Sequence, residues 1–289
     1  MKELKYVKKV DQEDNLFGDG IANVSLWDFS RANLNEDSRI EAITQVASVC
    51  YANPNVVGKE SLYNRLMAES IGLPSSSFEF VPMLISGSLI DLGFPYRQPN
   101  MWKYGELVVD GDNKYLLTNF RAALYDKEFG GTDYTTYFNT ESECEIISKY
   151  FKVFLSKLDM VTRTQYIRHR VNWQELSRRY VSGKKVDFEF YVSEGMKNIV
   201  TDTYDPELEA GDSYDTQELI SLCVQHYFNA LDAGIQPQEA RRILPQACYT
   251  TVWSAWQPKQ LKNFTNLRSD KHAQWEIRQL SDAKIRLLA

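Results

Sequence analysis

Cysteine is scarce in this chain of 289 residues: only Cys50, Cys144, Cys223 and Cys248. None forms a C-x-x-C pair, and a chain this long needs no disulfide staples, so free thiols in a reducing cytoplasm are expected. Histidine is scarcer still. His169, His226 and His272 lie far apart without metal-ligand spacing, so no zinc or iron site is expected. With 14 Gly and 9 Pro the chain is neither fibrous nor largely disordered. No run of about 18 apolar residues is available to cross a membrane. The opening MKELKYVKKVDQEDNLFGDG also lacks the apolar centre of a secretory signal. Positive charge is in deficit too: the net charge of −6 argues against a long nucleic acid as partner.

What is present is an ordinary globular composition, 43% hydrophobic and 25% charged, on a length that suits one large domain or two small ones. No linker or repeat interrupts it, so residues 1–289 are expected to form one compact unit of mixed α and β structure. Residues 1–40 are polar and turn-rich, an extension over the core. Apolar residues at helical spacing predict helices from Arg39 to Val49, from Lys59 to Ile71 (stopped by Gly72 and Pro74) and from Ser142 to Leu158. FEFVPML (Phe78–Leu84) alternates like a strand, with Pro82 marking an edge or a break. VVDGDNKYLL reads as a hairpin turning on Asp-Gly-Asp-Asn, and TNFRAALY (Thr118–Tyr125) as a helix. Further on, Leu219, Ile220, Cys223, Val224, Tyr227, Phe228 and Leu231 form one helical stripe ending at Gly234. PQEARRILP is a short helix with Pro in its first turn, YTTVWSAW is β-rich, and one long helical pattern runs from Pro258 to the end.

RHRVNWQELSRRY (Arg168–Tyr180) stands apart, because its four arginines exclude lysine altogether. A guanidinium can grip a phosphate or carboxylate through two hydrogen bonds at once. With Arg163 the run makes a local basic patch that suits a nucleotide better than a duplex. Taken alone, it fits a solvated charged face better than a phosphate pocket, and His169 alone reads as a surface histidine. Trp253, Trp256 and Trp275 read as core or subunit-interface residues.

Beside the tail, the run reads differently. Arg168-His169-Arg170 followed by Glu175-Leu-Ser177-Arg-Arg179-Tyr180 resembles the R-H-R…E-x-S-x-R-Y signature of the flavin-dependent thymidylate synthases. EARRILPQACYT (Glu239–Thr250) is similar to that family's A-R-x-x-L-P segment. LKNFTNLRSDKHAQWEIR (Leu261–Arg278) is similar to its L-x-N-F-x-x-L-R…H-A-Q-x-E-I-R. The resemblance covers the last half of the chain well. It implies an α+β fold with a mostly antiparallel sheet flanked by long helices, and makes residues 86–155 a family-variable insertion. It also implies reductive methylation of dUMP to dTMP, with FAD as cofactor and methylenetetrahydrofolate and NADPH as co-substrates. Arg268 would activate the pyrimidine. Gln165, Arg168, Glu175, Ser177, Arg178, Arg179 and Arg241 would hold the nucleotide. Ser76, Glu79, Arg168, His169, Arg170, Gln257 and Asn263 would contact the flavin. The resemblance implies a homotetramer with shared sites, Arg241 reaching a pocket built from another chain's Glu175–Arg179. The residue types suit that chemistry, since arginines stay charged and the flavin carries the redox work.

Three departures from the pattern are visible. Six residues instead of seven separate Arg170 from Ser177, a shift of about 3.3 Å in extended chain, which the loop Val171-Asn172-Trp173 is expected to absorb. The family's G-H-x-T/S-P-x-E-H has become GLPSSSFEF, losing both histidines, and Gln257 stands where an asparagine is usual. They leave open a divergent enzyme acting on dCMP or making a hydroxymethyl product, and a non-catalytic nucleotide- or RNA-binding protein.

Overall fold

Tyr249–Trp256 explains the architecture best: eight residues rich in β-branched and aromatic side chains form a central strand, buried on both faces. A computed structural model describes residues 4–68, 75–87, 99–206 and 210–289. Its strands are β1 (Lys8–Asn15), β2 (Asn23–Asp28), β3 (Pro82–Ser86), β4 (Glu106–Asp110), β5 (Asn113–Asn119), β6 (Lys152–Asp159), β7 (Asn172–Glu175), β8 (Val200–Asp202), β9 (Ser213–Asp215) and β10 (Tyr249–Trp256). The five-stranded sheet runs β1-β2-β6-β10-β7, a second sheet β3-β5-β4, and β8 pairs with β9. Every pairing in these three sheets is antiparallel, as expected.

Side chains alternate across the main sheet and build a core on each face. Val153, Trp253 and Ala255 join one cluster, with Phe78, Met83, Leu116 and helix α1 (Glu36–Tyr51). Phe154, Leu158 and Trp256 join the other, with Phe264, Ile277 and Leu280. Those last three lie on α9 (Pro258–Arg268) and α10 (Trp275–Leu288). Trp253 and Trp256 are therefore core residues, whereas Trp275 is partly exposed. The remaining helices are α2 (Glu60–Ala68), α3 (Pro99–Lys103), α4 (Phe120–Glu128), α5 (Glu141–Tyr150), α6 (Met160–Tyr166), α7 (Thr216–Asp232) and α8 (Pro237–Ala240).

Several expectations need correction. Residues 1–40 are no mere extension: they supply two strands of the main sheet, and the Glu41 carboxylate anchors the N-terminal backbone by accepting from the amides of Lys5 and Val7 at 3.0 Å. The expected helix Ser142–Leu158 stops at Tyr150, and the chain turns into β6, hydrogen-bonded to β2 and β10. Phe78 opens no strand; Ser76–Phe80 is a 3-10 turn, and Pro82 begins the edge strand β3. The tail is two helices rather than one. The stop at Gly72 and Pro74 and residues 88–98 of the expected insertion lie outside the described residues. The rest of 86–155 shares the core, with Leu116, Phe120 and Ile147 all buried. The hairpin turn holds, Asp110 facing Asn113 across Gly111 at φ 59°.

Candidate active site

Helix α6 organises the site. Asp159, the last residue of β6, caps it by accepting from the amides of Val161 and Thr162 at 3.0 and 3.2 Å. Its last residue, Tyr166, is fully buried against Trp173, Trp256 and Phe264. The chain then turns sharply, Val171 N donating to His169 O at 3.0 Å, and enters β7 directly. Trp173 Nε1 donates to the same carbonyl at 3.0 Å. Strand β7 pairs with β10, setting Glu175 opposite Val252.

Helix α6 helps to line a cleft of about 530 Å³, which includes Arg163, Glu175, Ser177, Arg178, Arg241 and Arg242. Glu175 has both oxygens engaged there. Arg163 donates to one through Nε at 3.0 Å and through a second guanidinium nitrogen, and the Thr250 hydroxyl donates to the other at 3.0 Å. Arg178 lines this cleft but serves the chain itself. Its guanidinium donates to the Val186 carbonyl at 2.9 Å and sits 4.6 Å from the Phe188 ring centre. Arg241, expected to serve another chain's pocket, shares this cleft with its own chain's Glu175 and Ser177. Arg179 does not line it: that guanidinium is exposed, over the ring of Tyr180.

At the turn that follows α6, a second cleft of about 470 Å³ gathers Arg168, His169, Arg170, Asn263 and Arg268, bringing together four expected flavin contacts and the expected catalytic arginine. It adjoins a cleft of about 750 Å³ that includes Glu79, Lys103, Arg170, Lys259 and Gln257. Arg268 Nε donates to His169 Nε2 at 3.0 Å, and a terminal nitrogen of Arg268 donates to the Gln165 carbonyl at 3.3 Å. An arginine Nε always carries its hydrogen, so His169 Nε2 is an acceptor and the ring proton is on Nδ1. Burial first, then Arg268 and Lys284, push the imidazole pKa from 6.5 down to about 4. His169 is thus a neutral, buried acceptor and not a surface histidine. Burial also lowers the Arg268 pKa, with Arg168 adding to the effect.

The remaining expected contacts are less free. Glu79 is paired with Arg121, yet burial dominates and raises its carboxyl pKa. Ser76 donates to Gln174 Oε1 at 2.7 Å and lines none of these clefts. The Gln257 amide is committed to the carbonyls of Tyr104 and Leu117 at 2.9 and 3.2 Å, tying the second sheet to α9. The Gln165 amide donates to Gln274. Sequence reasoning missed Arg163, Thr250, Arg242, Lys259 and Lys284. Arg163, beside the basic run, and Arg242 and Thr250, within EARRILPQACYT, carried a signal; Lys259 and Lys284 carried none. Among the thiols, burial raises Cys50 and Cys144 to about 11, which leaves neither nucleophilic at neutral pH.

Fold and clefts together define an α+β protein with cation-lined clefts on α6 and at the turn that follows it. A family can now be given. The chain belongs to the thymidylate synthase complementing protein family (Thy1), whose model matches residues 138–289, more than half of the chain. The flavin-dependent thymidylate synthase of Thermotoga neapolitana is 33% identical over 135 residues, 45% of this chain and 57% of that one. The enzyme of the same description from Thermosipho melanesiensis is 35% identical over 136 residues, 44% of this chain and 57% of that one. The match thus spans less than two thirds of those relatives' length. Among solved structures, the UMP/dUMP methylase PolB from Streptomyces cacaoi bound with 5-Br UMP has 24% identity and a TM-score of 0.36, covering 46% of this chain and 66% of that one. The family expected from the two motif runs is borne out.

Proposed function

We propose that this chain methylates C5 of dUMP, with FAD as cofactor, methylenetetrahydrofolate as carbon donor and NADPH as reductant, in a homotetramer. The observation that carries the reading is the Arg268–His169 pair at 3.0 Å, in a cleft it shares with Arg168 and Asn263. The donor set fits a dinucleotide flavin. Arg168, Arg170, Lys259 and Lys103 offer cations to a diphosphate along two adjoining clefts, and the carboxylate of Glu79 there is already neutralised by Arg121. When bound, the flavin supplies the hydride and relays the one-carbon unit.

The chain's own residues do the rest. Arg241 and Arg242 hold the 5′-phosphate, and the Ser177 hydroxyl offers it a further hydrogen bond. Arg268 stabilises the negative charge that develops when N3 of uracil loses its proton, and its charge persists at every working pH. Neutral His169 fixes the direction of that guanidinium by accepting one of its hydrogens. Cytosine has no N3 proton to lose, which favours dUMP over dCMP.

Two measurements test this. The purified chain should retain added FAD, seen in the visible spectrum, and should release the C5 hydrogen of dUMP with the product mass of dTMP. Arg268→Ala should keep FAD and lose about 10²–10³-fold in release rate, as for removal of one oxyanion donor. Release from dCMP alone would reassign the substrate. FAD and nucleotide binding without release would identify a binding protein, and no FAD binding would end the flavin reading.

A further inference from the structure

Lys284 of α10 is fully buried, and so far it has entered only as the last of three influences on the His169 imidazole. Its Nζ lies 4.3 Å from the ring centre of Phe154, 4.4 Å from Tyr166, 4.2 Å from Trp256 and 5.0 Å from Phe264. Among the described residues no carboxylate pairs with it. Its hydrogen-bond partner is the Tyr166 hydroxyl. Because Nζ donates there, Tyr166 must donate onward to Ser254 Oγ at 2.7 Å, and Ser254 to the Phe154 carbonyl at 3.4 Å. Each donor in this chain has one acceptor. Burial pulls the ammonium towards losing its proton. Four ring faces and a phenol oxygen oppose that, because both attract a cation.

Two rings of the cage are shared with the active site. Phe264 meets His169 edge-on at 5.0 Å and Trp256 lies 6.3 Å from it. Lysine and histidine therefore share two aromatic walls, in a setting where charges interact strongly. The other charged or ionisable groups around the pair are Arg268 on α9, Arg168 in the turn and Tyr166 on α6. From the sheet, Phe154, Trp173, Ser254 and Trp256 face them, none of which titrates at working pH. We propose that Lys284 is a positioning residue: from behind the two rings it shares with His169, its caged ammonium favours the ring form whose Nε2 accepts from Arg268 and holds that guanidinium in one direction. A protonated His169 would lose the bond and face the charges of Arg268 and Lys284. A methionine would fill the cage equally well, so packing alone does not call for lysine.

The inference rests on the role given above to Arg268, but its readout does not. The imidazole Cε1–H signals of the full, ligand-free chain are followed against pH by NMR with labelled histidine, His169 being identified by its loss in His169→Asn. In the wild type it should titrate well below the ordinary histidine range. Lys284→Met and Lys284→Gln should each raise its proton affinity by roughly tenfold. Glutamine keeps a hydrogen bond to Tyr166 without the charge, so similar shifts in both variants mark the charge as the cause. If one variant fails to fold, the other carries the test. A shift with methionine alone, an unmoved His169 in a folded variant, or ordinary titration in the wild type would each overturn the proposal.

Discussion

Glu175 is the carboxylate of the cleft that Arg163, Arg178, Arg241 and Arg242 line, and Arg163 decides what it does there. With Arg163 and Thr250 on its two oxygens, its charge is compensated before any ligand arrives. Arg163→Met would free that carboxylate to repel a phosphate or to bind Arg241 or Arg242. The dissociation constant for dUMP should rise about tenfold, roughly 1.4 kcal/mol, measured by calorimetry. Adding Glu175→Gln should restore part of the loss, because the two residues act as one unit. Unchanged affinity in the single variant would remove Arg163 from the site. The sequence made Glu175, Ser177 and Arg241 legible because contiguous motifs carry them. It could not reveal the Arg163–Glu175 pairing, since that contact depends on the register of β7 against β10. Nor could spacing tell which of the neighbours Arg178 and Arg179 turns inward. The structure turns Arg178 inward and spends it on backbone carbonyls.

Elements with one buried face were readable, and those without one were not. Helix α4 is an example of the first kind: Asn119 caps it by accepting from the Ala122 amide at 3.0 Å, and Ala122 and Ala123 face the core. Asn119→Ala should cost about 1 kcal/mol, seen as a lower midpoint in urea with an unchanged slope. No change would mean that α4 is held by packing alone. Strand β6 is the opposite case. Val153 feeds one core and Phe154 and Leu158 the other, so the alternation that marks a strand is absent and the apolar residues mimic a helix. Strand β1 escaped because it is an edge strand, and edge strands stay polar and lysine-bearing. In α7 the helical stripe was legible, but Leu219 on it and Leu222 beside it are exposed, and Tyr227 is the one residue of the helix that is buried. Periodicity identifies a shared face; it does not say whether the same chain covers that face.

At the scale of the whole molecule, that uncovered face and the outward Arg179 point the same way, towards a site completed by another copy of the chain. Leu219, Leu222 and Ile243 are exposed apolar side chains, and Arg179 stays outside its own cleft although it belongs to the E-x-S-x-R-Y motif. Arg241, by contrast, lines the cleft of its own chain. If Arg241 acts in its own chain and Arg179 in a neighbour's, the two lesions complement one another. Arg179→Ala and Arg241→Ala should each abolish release of the dUMP C5 hydrogen. Mixed in equal amounts and allowed to exchange subunits, they should recover about a quarter of wild-type activity, since half of the sites carry an intact Arg241 and half of those face a neighbour with an intact Arg179. If both arginines act in one chain, every site in the mixture keeps a lesion and nothing is recovered. Light scattering should give a tetramer, and native mass spectrometry should show the mixed species. Mixed tetramers without activity would return Arg179 to its own chain's surface and leave the apolar face of α7 as a contact between copies that contributes no residue to catalysis.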